Sequence, residues 1–163
     1  MTWVDGANFI VKGDKPVKSL DEMSGKKIGV IDGNTTETAL QDWMKKNMVT
    51  LQLVPVESHI EGMQQLNEGV IDGYAADQTV LIGLAASVAK DMRVSIAPMT
   101  FSYEPYALVV PRNDADFKQA VNRVLAQLYR TGEIMKIYNV WFGKFGKPPV
   151  PLILMYQMNA LPE

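Results

Sequence analysis

The chain has 163 residues and a formal net charge of −2, and 47% of its residues are hydrophobic and 21% charged, which is typical of a globular protein with a buried core. A charge this close to neutral argues against a nucleic-acid-binding protein, which would carry a basic patch or stripe. The sequence contains no cysteine, so it excludes disulfide scaffolds, zinc sites built on thiolates and cysteine nucleophiles.

Neither a membrane span nor a signal peptide is predicted. No apolar run reaches the roughly 18 residues that cross a bilayer. The first residues, MTWVDGANFIVKG, lack the basic start and the long apolar middle of a signal peptide. If the protein works outside the cytoplasm, we therefore expect its targeting segment to lie outside this chain.

Strands are predicted to alternate with helices up to residue 111. In chain order these are strand ANFIVKG (7–13), short helix SLDEMSG (19–25), strand KKIGVI (26–31), helix TTETALQDWMKKN (35–47), strand TLQLVPV (50–56), helix SHIEGMQQLNEG (58–69), strand VIDGYAAD (70–77), helix QTVLIGLAASVAK (78–90), strand RVSIAP (93–98) and strand YALVVP (106–111). Ser19 with Glu22, and Ser58 with Glu61, have the spacing of a capping box. The alternation predicts an α/β fold with βαβ units around a parallel sheet.

The pattern becomes helical after Pro111. DADFKQAVNRVLAQLYRTGEIMKIYNVWFG (114–143) predicts two helices, broken at Thr131 and Gly132. Apolar residues at helical spacing form one stripe along both helices: Phe117, Val121, Val124, Leu125, Leu128, Ile134, Ile137, Tyr138, Trp141 and Phe142. A proline-rich tail follows, with an apolar run from Leu152 to Tyr156.

Two polar corners, at residues 33–36 and 74–77, follow predicted parallel strands and should lie at one edge of the sheet. At the first corner a helix begins directly after Gly33, so its first N–H groups are unpaired and suit an anion such as a carboxylate. Thr35 and Thr36 add hydroxyl groups there. The alternative interpretation is that Asn34 caps the helix and Glu37 closes a capping box.

Asp77 also has two interpretations, as the N-cap of the next helix or as a carboxylate presented to a ligand ammonium group. His59 is the only histidine. It is either an exposed residue with no special role or a neutral ring that donates a hydrogen bond to an acidic ligand. We expect no metal and no cofactor. Asp77 and Glu104 are the remaining acid/base candidates for an enzyme, and nothing in the sequence brings them together.

Taken together, these segments resemble the second lobe of the bacterial extracellular solute-binding proteins of family 3, the polar amino-acid receptors of ABC importers. SLDEMSGKKIGV is similar to the family's S-L-x-D-L-x-G-K-x-V-x-V, and a G-x-T corner follows it. GVIDGYAADQTVL is similar to G-x-x-D-A-x-x-x-D, and the helical stretch ends in a K-I-x-x-x-W-F signature. The resemblance implies a periplasmic binding protein-like fold of type II. Its divisions are the first hinge strand and a remnant of lobe 1 (1–12), the α/β lobe 2 (13–103), the second hinge strand (104–111) and the C-terminal helices and tail of lobe 1 (112–163).

The histidine of SHIEGMQQLNEG and the proline-rich tail resemble the glutamate/aspartate-binding members of this family. The resemblance implies that Thr35 and its backbone N–H hold a ligand carboxylate, that Asp77 pairs with the α-ammonium and that His59 reaches the acidic side chain. Asn34 departs from the threonine that is common in the family. Tyr74 and Gln78 are expected to line the cleft.

The implied ligand is L-glutamate or L-aspartate, the implied partners are ABC permease subunits, and the implied location is periplasmic or otherwise extracytoplasmic. The family's first-lobe segment, with the arginine that binds the α-carboxylate, is absent from this chain, so we expect weak or absent binding. We also expect the apolar stripe of residues 112–142 to be covered by a second copy, as in a dimer, or by rearrangement within the chain. The alternatives are a self-associating structural remnant without ligand binding and, by fold analogy alone, an enzyme.

Overall fold

The computed structural model describes residues 2–13, 15, 17–87, 92–143 and 146–161. In chain order the elements are β1 (Trp3–Asp5), β2 (Ala7–Lys12), a 3-10 helix (Leu20–Met23), β3 (Lys27–Ile31), α1 (Thr35–Asn47), β4 (Gln52–Val56), α2 (His59–Glu68), β5 (Gly73–Asp77), α3 (Gln78–Ser87), β6 (Val94–Ile96), β7 (Glu104–Tyr106), α4 (Ala115–Thr131), α5 (Glu133–Phe142) and α6 (Val150–Met158). The last residues of the predicted helix QTVLIGLAASVAK, 88–90, lie outside the described residues.

The chain forms two compact units. The sheet unit is the continuous segment Asp5–Glu104, and the helical unit combines Met1–Val4 with Pro105–Glu163. The boundary between the units falls within β1 and β7, which pair with each other in a two-stranded sheet. The sheet unit is therefore inserted, in sequence, into the helical unit.

The sheet unit contains a five-stranded sheet with the strand order β4-β3-β5-β2-β6. Strand β3 pairs in parallel with both β4 and β5, as the alternation of strands and helices predicts. Strand β2 pairs antiparallel with β5 on one side and with β6 on the other. The α/β fold is confirmed, and its sheet is parallel over three strands and mixed as a whole.

Helices cover both faces of this sheet. Successive side chains of a strand point to opposite faces, and in β2 Phe9 and Val11 belong to one core whereas Ile10 belongs to the other. Helix α1 contributes Leu40 to the first core. Helices α2 and α3 contribute to the second core, through Met63, Leu66, Leu81 and Leu84. The sheet is therefore buried from both sides, as expected for an α/β fold.

The helical unit has its own aromatic core. Its buried members are Val4, Tyr129, Tyr138, Leu152, Met155 and Tyr156. The ring of Trp3 lies 5.9 Å from that of Tyr138 and 4.7 Å from that of Phe142, and Tyr129 stacks on Tyr156 at 4.9 Å. Helix α6 and strand β1 thus supply much of the apolar surface that packs against α4 and α5.

The predicted apolar stripe of α4 and α5 is only partly covered within the chain. Tyr138 is buried, and Leu125, Leu128, Ile134 and Phe142 pack against the core of the helical unit. Other members of the stripe stay exposed, namely Phe117, Val124, Ile137 and Trp141. Of the two covers expected from the sequence, cover from within the chain accounts for part of the stripe, because α6 packs against it.

The predicted strand YALVVP (106–111) is wrong. Strand β7 ends at Tyr106, and residues 107–111 are not in a strand. The partner strand β1 is only three residues long, so pairing stops, and Leu108 and Val109 are exposed. A β-rich segment becomes a strand only where a neighbour pairs with it.

The two predicted capping boxes differ in outcome. Ser19 makes no capping hydrogen bond, and Glu22 instead accepts from the backbone N–H of Lys18 at 3.4 Å. At the start of α2 the box forms, because Ser58 Oγ accepts from the Glu61 N–H at 3.2 Å and the Glu61 carboxylate accepts from the Glu57 N–H at 2.7 Å.

Among the described residues, no helix is both long and apolar enough to cross a membrane.

Leu152 provides a test of the core of the helical unit. Its side chain is 0% exposed, whereas Leu154 on the same helix is 51% exposed. We expect Leu152→Ala to lower the free energy of unfolding by about 2–5 kcal/mol, because it leaves a cavity. The matched control Leu154→Ala should lower it by less than about 1 kcal/mol. Urea unfolding followed by circular dichroism measures both, and equal losses would contradict the packing of α6.

Candidate functional site

Three strand ends and two helix starts meet at one edge of the sheet unit. Strands β4, β3 and β5 run in one direction, so their carboxyl ends share that edge. Asp77 ends β5, α1 begins at Thr35 after β3, and α2 begins at His59 after β4. Neighbouring strands lie about 4.8 Å apart. The outer two of these three strands are therefore about 10 Å apart, a span comparable to a small molecule.

Asn34 caps helix α1. Its Oδ1 accepts a hydrogen bond from the Glu37 N–H at 2.8 Å, and the Glu37 carboxylate accepts from the Gly33 N–H at 2.8 Å. The capping interpretation is thus correct, except that Glu37 reaches back to Gly33. The backbone N–H groups of Thr35 and Thr36 have no hydrogen-bond acceptor within the described part of the chain. The corner is therefore capped and still offers two donors, so its two interpretations are compatible.

The two threonines of the corner have different environments. Thr35 is exposed and lines an open groove of ≈ 400 Å³, whose wall also includes Asn34, Ser102 and Glu104. Thr36 is 1% exposed, and its hydroxyl donates to Asp77 Oδ1 at 3.4 Å. Thr35 is therefore accessible to a ligand, whereas the Thr36 side chain is buried and holds Asp77 through its hydrogen bond. Asp77 and His59 do not line this groove.

Asp5 accepts a hydrogen bond at the start of α3, where one interpretation of the sequence makes Asp77 the N-cap. The N–H of Thr79, in the first turn of α3, donates to Asp5 Oδ2 at 3.2 Å, and the N–H of Gly6 donates to Asp5 Oδ1 at 2.9 Å. The half-buried Asp77 carboxylate lies instead against Thr36 at the corner of α1. Sequence reasoning missed Asp5, since its partner is 74 residues away.

The structure brings Glu104 to Asp77, which the sequence gives no reason to expect. Burial raises the pKa of Glu104, and the neighbouring carboxylates of Asp77 and Asp5 raise it further, while a hydrogen bond from Ser102 opposes the rise. The Ser102 hydroxyl donates to Glu104 Oε1 at 2.7 Å and accepts from the Ala7 N–H at 2.7 Å. Three carboxylates of like charge thus lie close together, and such a region favours a bound cation. Among the described residues, the Asp, Glu and His side chains form no group that could hold a metal ion.

His59 is half-buried and bonded to the core. Its Nδ1 lies 2.7 Å from the hydroxyl oxygen of Tyr74, and the two rings meet edge to face, with centroids 6.1 Å apart. Tyr74 is 0% exposed, so the expectation that it lines the cleft is wrong, because its ring belongs to the second core of the sheet unit. Gln78 is half-exposed, and its backbone N–H donates to the Gly6 carbonyl at 3.0 Å.

Comparisons with known proteins agree on one family. Residues 3–144 match the bacterial extracellular solute-binding proteins, family 3. The chain is 27% identical to the L-glutamate/L-aspartate-binding protein of Pseudomonas aeruginosa over 94% of its length. It is 31% identical to the glutamate/glutamine/aspartate/asparagine-binding protein of Rhodobacter capsulatus over 74% of its length. These alignments span 51% and 36% of the two relatives.

A solved structure shows the same fold. An ancestral arginine-binding protein bound to arginine is 29% identical and superposes with a TM-score of 0.66, over 86% of this chain and 62% of that one. The chain thus spans about half the length of the first curated relative and under two thirds of this structure. The names of these relatives describe proteins that bind solutes, and none of the three names an enzyme.

The burial of Glu104, together with the carboxylates of Asp77 and Asp5 near it, predicts a dependence of stability on pH. Its pKa is higher in the folded than in the unfolded chain, so the folded state binds the extra proton and the unfolding free energy falls as the pH rises from about 4.5 through the raised value. In Glu104→Gln, which keeps an acceptor for Ser102, this fall should disappear and stability at pH 7 should be equal or higher. Thermal melts between pH 4 and pH 8 measure this.

Glu68→Gln is the matched control, since Glu68 is an exposed glutamate at the end of α2. It should keep the pH dependence of the unaltered chain. If Glu104→Gln keeps the same dependence as well, or is less stable at pH 7, the pKa of Glu104 is not raised by its surroundings in the folded chain.

Proposed function

The chain belongs to the bacterial extracellular solute-binding proteins, family 3, and from this membership we propose that it is the amino-acid-binding component of an ABC importer, with L-glutamate or L-aspartate as its ligand. In this proposal it works in the periplasm or elsewhere outside the cytoplasm and delivers its ligand to the permease subunits. The names of both curated relatives include glutamate and aspartate.

One observation carries the proposal: a helix start with unused donors and a supported carboxylate lie at the same edge of the sheet. An amino acid is a zwitterion, so its receptor needs a site for an anion and a site for a cation. The first turn of α1 offers the N–H groups of Thr35 and Thr36 to a carboxylate, aided by the helix dipole. Asp77, beside Glu104 and Asp5, offers negative charge to an ammonium group.

Each candidate residue then has a role. Thr35 binds the α-carboxylate through its hydroxyl and backbone N–H, Asp77 pairs with the α-ammonium, and His59 donates a hydrogen bond to the acidic side chain. Asn34 acts indirectly, and so does the buried side chain of Thr36, whose backbone N–H remains a donor to the carboxylate. Asn34 holds the first turn of α1 in place through its cap, and Thr36 fixes the Asp77 carboxylate.

We further propose that the sheet unit is the second lobe of the receptor and that the helical unit belongs to the first lobe. The unit boundary falls in β1 and β7, within the segments 1–12 and 104–111 that the resemblance implies as hinges, and we propose that β1 and β7 act as these hinges. In such receptors a ligand shifts the population toward the closed form, which is the form that the permease recognises. Asp77 and Glu104 have the proximity that an acid/base pair needs, but the family is one of solute-binding proteins, so we propose no reaction.

Asp77→Asn tests the ligand site. Because it removes the charge that pairs with the ammonium group, we expect glutamate affinity to fall at least about 30-fold, which corresponds to the low end of the 2–5 kcal/mol lost with a charged partner. Isothermal titration with glutamate, aspartate, glutamine, arginine and histidine measures the affinities. The control Asp116→Asn, in the first turn of α4, should bind like the unaltered chain.

Two outcomes would contradict the proposed function. Unchanged glutamate affinity in Asp77→Asn would remove Asp77 from the site. A chain that shows no heat and no thermal stabilisation with any of these amino acids would mean that it does not bind them by itself; a ligand at 100 times its dissociation constant should add about 2.7 kcal/mol of stability.

A second candidate function, self-association, is favoured by the uncovered part of the helical stripe. Val140 and Trp141 are 77% and 69% exposed at the end of α5, and Ile137 is exposed one turn earlier. Contiguous apolar surface of this kind marks an interaction site. We propose that α4 and α5 (the helices of residues 112–142) form a symmetric contact with a second copy of the chain.

Sedimentation velocity over a hundredfold range of concentration tests this contact. We expect a dimer that dissociates on dilution, and we expect Val140→Lys with Trp141→Lys to be monomeric at every concentration, since two charges would face their symmetry mates. Met48→Lys, which alters an exposed apolar residue of the sheet unit, should leave the dimer intact. A chain that is monomeric throughout would contradict the proposal.

A further inference from the structure

The side chain of Tyr74 lies on one face of the sheet and extends toward His59 at the start of α2. Tyr74 lies in β5, and its partner His59 opens α2, beyond the neighbouring strand β3. In β3 the residue in register with Tyr74 is Gly29. A Cβ atom at Gly29 would lie 3.3 Å from Tyr74 Cδ2 and 2.6 Å from Ile71 Cδ1. The ring of Tyr74 passes over this strand because Gly29 has no side chain.

A second glycine also makes room for the ring. Gly62 lies in the first turn of α2 and is buried, and a Cβ atom there would overlap the Tyr74 ring itself. Helix α2 therefore packs directly on the ring, and the absence of side chains at Gly29 and Gly62 leaves room for it. This arrangement fixes both the ring and the direction in which its hydroxyl points, toward His59.

The chemistry of the bond sets where the histidine carries its proton. Burial raises the pKa of Tyr74 to about 12, so its hydroxyl keeps its hydrogen at neutral pH. Within the described residues, His59 Nδ1 is the only hydrogen-bond partner of this hydroxyl. A neutral imidazole has one N–H and one bare nitrogen. If Nδ1 carried the hydrogen, the buried hydroxyl would have no acceptor, so the hydroxyl donates to a bare Nδ1 and the hydrogen stays on Nε2.

We infer that Tyr74 is a positioning residue that holds His59 in its Nε2–H form and so makes the site prefer a ligand side-chain carboxylate to an amide or a guanidinium. The ligand preference rests on the proposed function, and the proton position does not. An Nε2–H group only donates, and a carboxylate only accepts and does so strongly because it is charged. An amide oxygen accepts less strongly, and a guanidinium has donors alone.

Nuclear magnetic resonance of the ring nitrogens tests the proton position without any ligand. His59 is the only histidine in the chain, so a nitrogen-15-labelled protein purified without a histidine tag gives one assignable pair of imidazole signals. We expect Nδ1 to have the chemical shift of a bare nitrogen and Nε2 that of an N–H. In Tyr74→Phe, which keeps the ring and removes the hydroxyl, the two shifts should move toward the tautomer mixture of free imidazole.

Tyr156→Phe is the matched control, because it removes another buried tyrosine hydroxyl, in the helical unit. It should leave the His59 signals unchanged. A hydrogen on Nδ1 in the unaltered chain overturns the inference, and this result needs no variant to fold. Unchanged signals in a folded Tyr74→Phe overturn it as well.

Calorimetric titration with glutamate and glutamine tests the preference. We expect Tyr74→Phe to weaken glutamate binding about tenfold, the effect of roughly one hydrogen bond, and to leave glutamine binding nearly unchanged. An equal loss for both ligands overturns the specificity role. If the chain binds neither ligand but shows the Nε2–H form, the proposed function fails and the assignment of the proton by Tyr74 is supported.

Discussion

The antiparallel pairing of β2 with β5 is the interaction on which the candidate site depends. It sets Ala7 opposite Asp77, so Asp5 lies beside the start of α3, where it accepts from the Thr79 N–H. The segment after β6 then returns along β2, with the Phe101 N–H donating to the Ala7 carbonyl at 2.9 Å. This segment therefore brings Ser102 and Glu104 close to Asp5 and Asp77. One strand inserted in the middle of a sheet thus gathers carboxylates from positions 5, 77 and 104.

Gathering like charges has an energetic cost. Burial is the largest cause of the raised pKa of Glu104, and the carboxylates of Asp77 and Asp5 raise it further, so the ionised form of Glu104 is disfavoured here. The hydrogen bonds from Thr36 and Ser102 offset part of that cost. In the proposed function, an ammonium group among these carboxylates would relieve the repulsion. In that proposal, the repulsion among these carboxylates would itself favour a cationic group.

Features that depend on neighbours in sequence could be predicted, and features that depend on distant pairing could not. The Asn34 cap and the capping box of Ser58 follow from residues three or four positions apart, and the alternation of strands and helices was enough for the parallel strands. The place of β2 depends on contacts with residues about 70 and 90 positions away, so the sequence pattern gave no sign of its direction. The roles of Asp5 and Ser102 were missed for the same reason. Glycines within elements, such as Gly29 and Gly62, indicate that a large side chain packs nearby. Which side chain fills the space depends on strand register, which the sequence pattern does not give.

The insertion of the sheet unit into the helical unit sets an order of folding during synthesis. The ends of the sheet unit lie side by side, because β1 and β7 pair, and a segment with adjacent ends can form its core independently of the chain around it. Domains fold as units as they leave the ribosome, and residues 5–104 emerge as one continuous stretch. Trp3 and Val4 pack against a core that includes Leu152, Met155 and Tyr156. Val4 therefore cannot complete its packing against this core until α6 has been synthesised, whereas the sheet unit can fold before that.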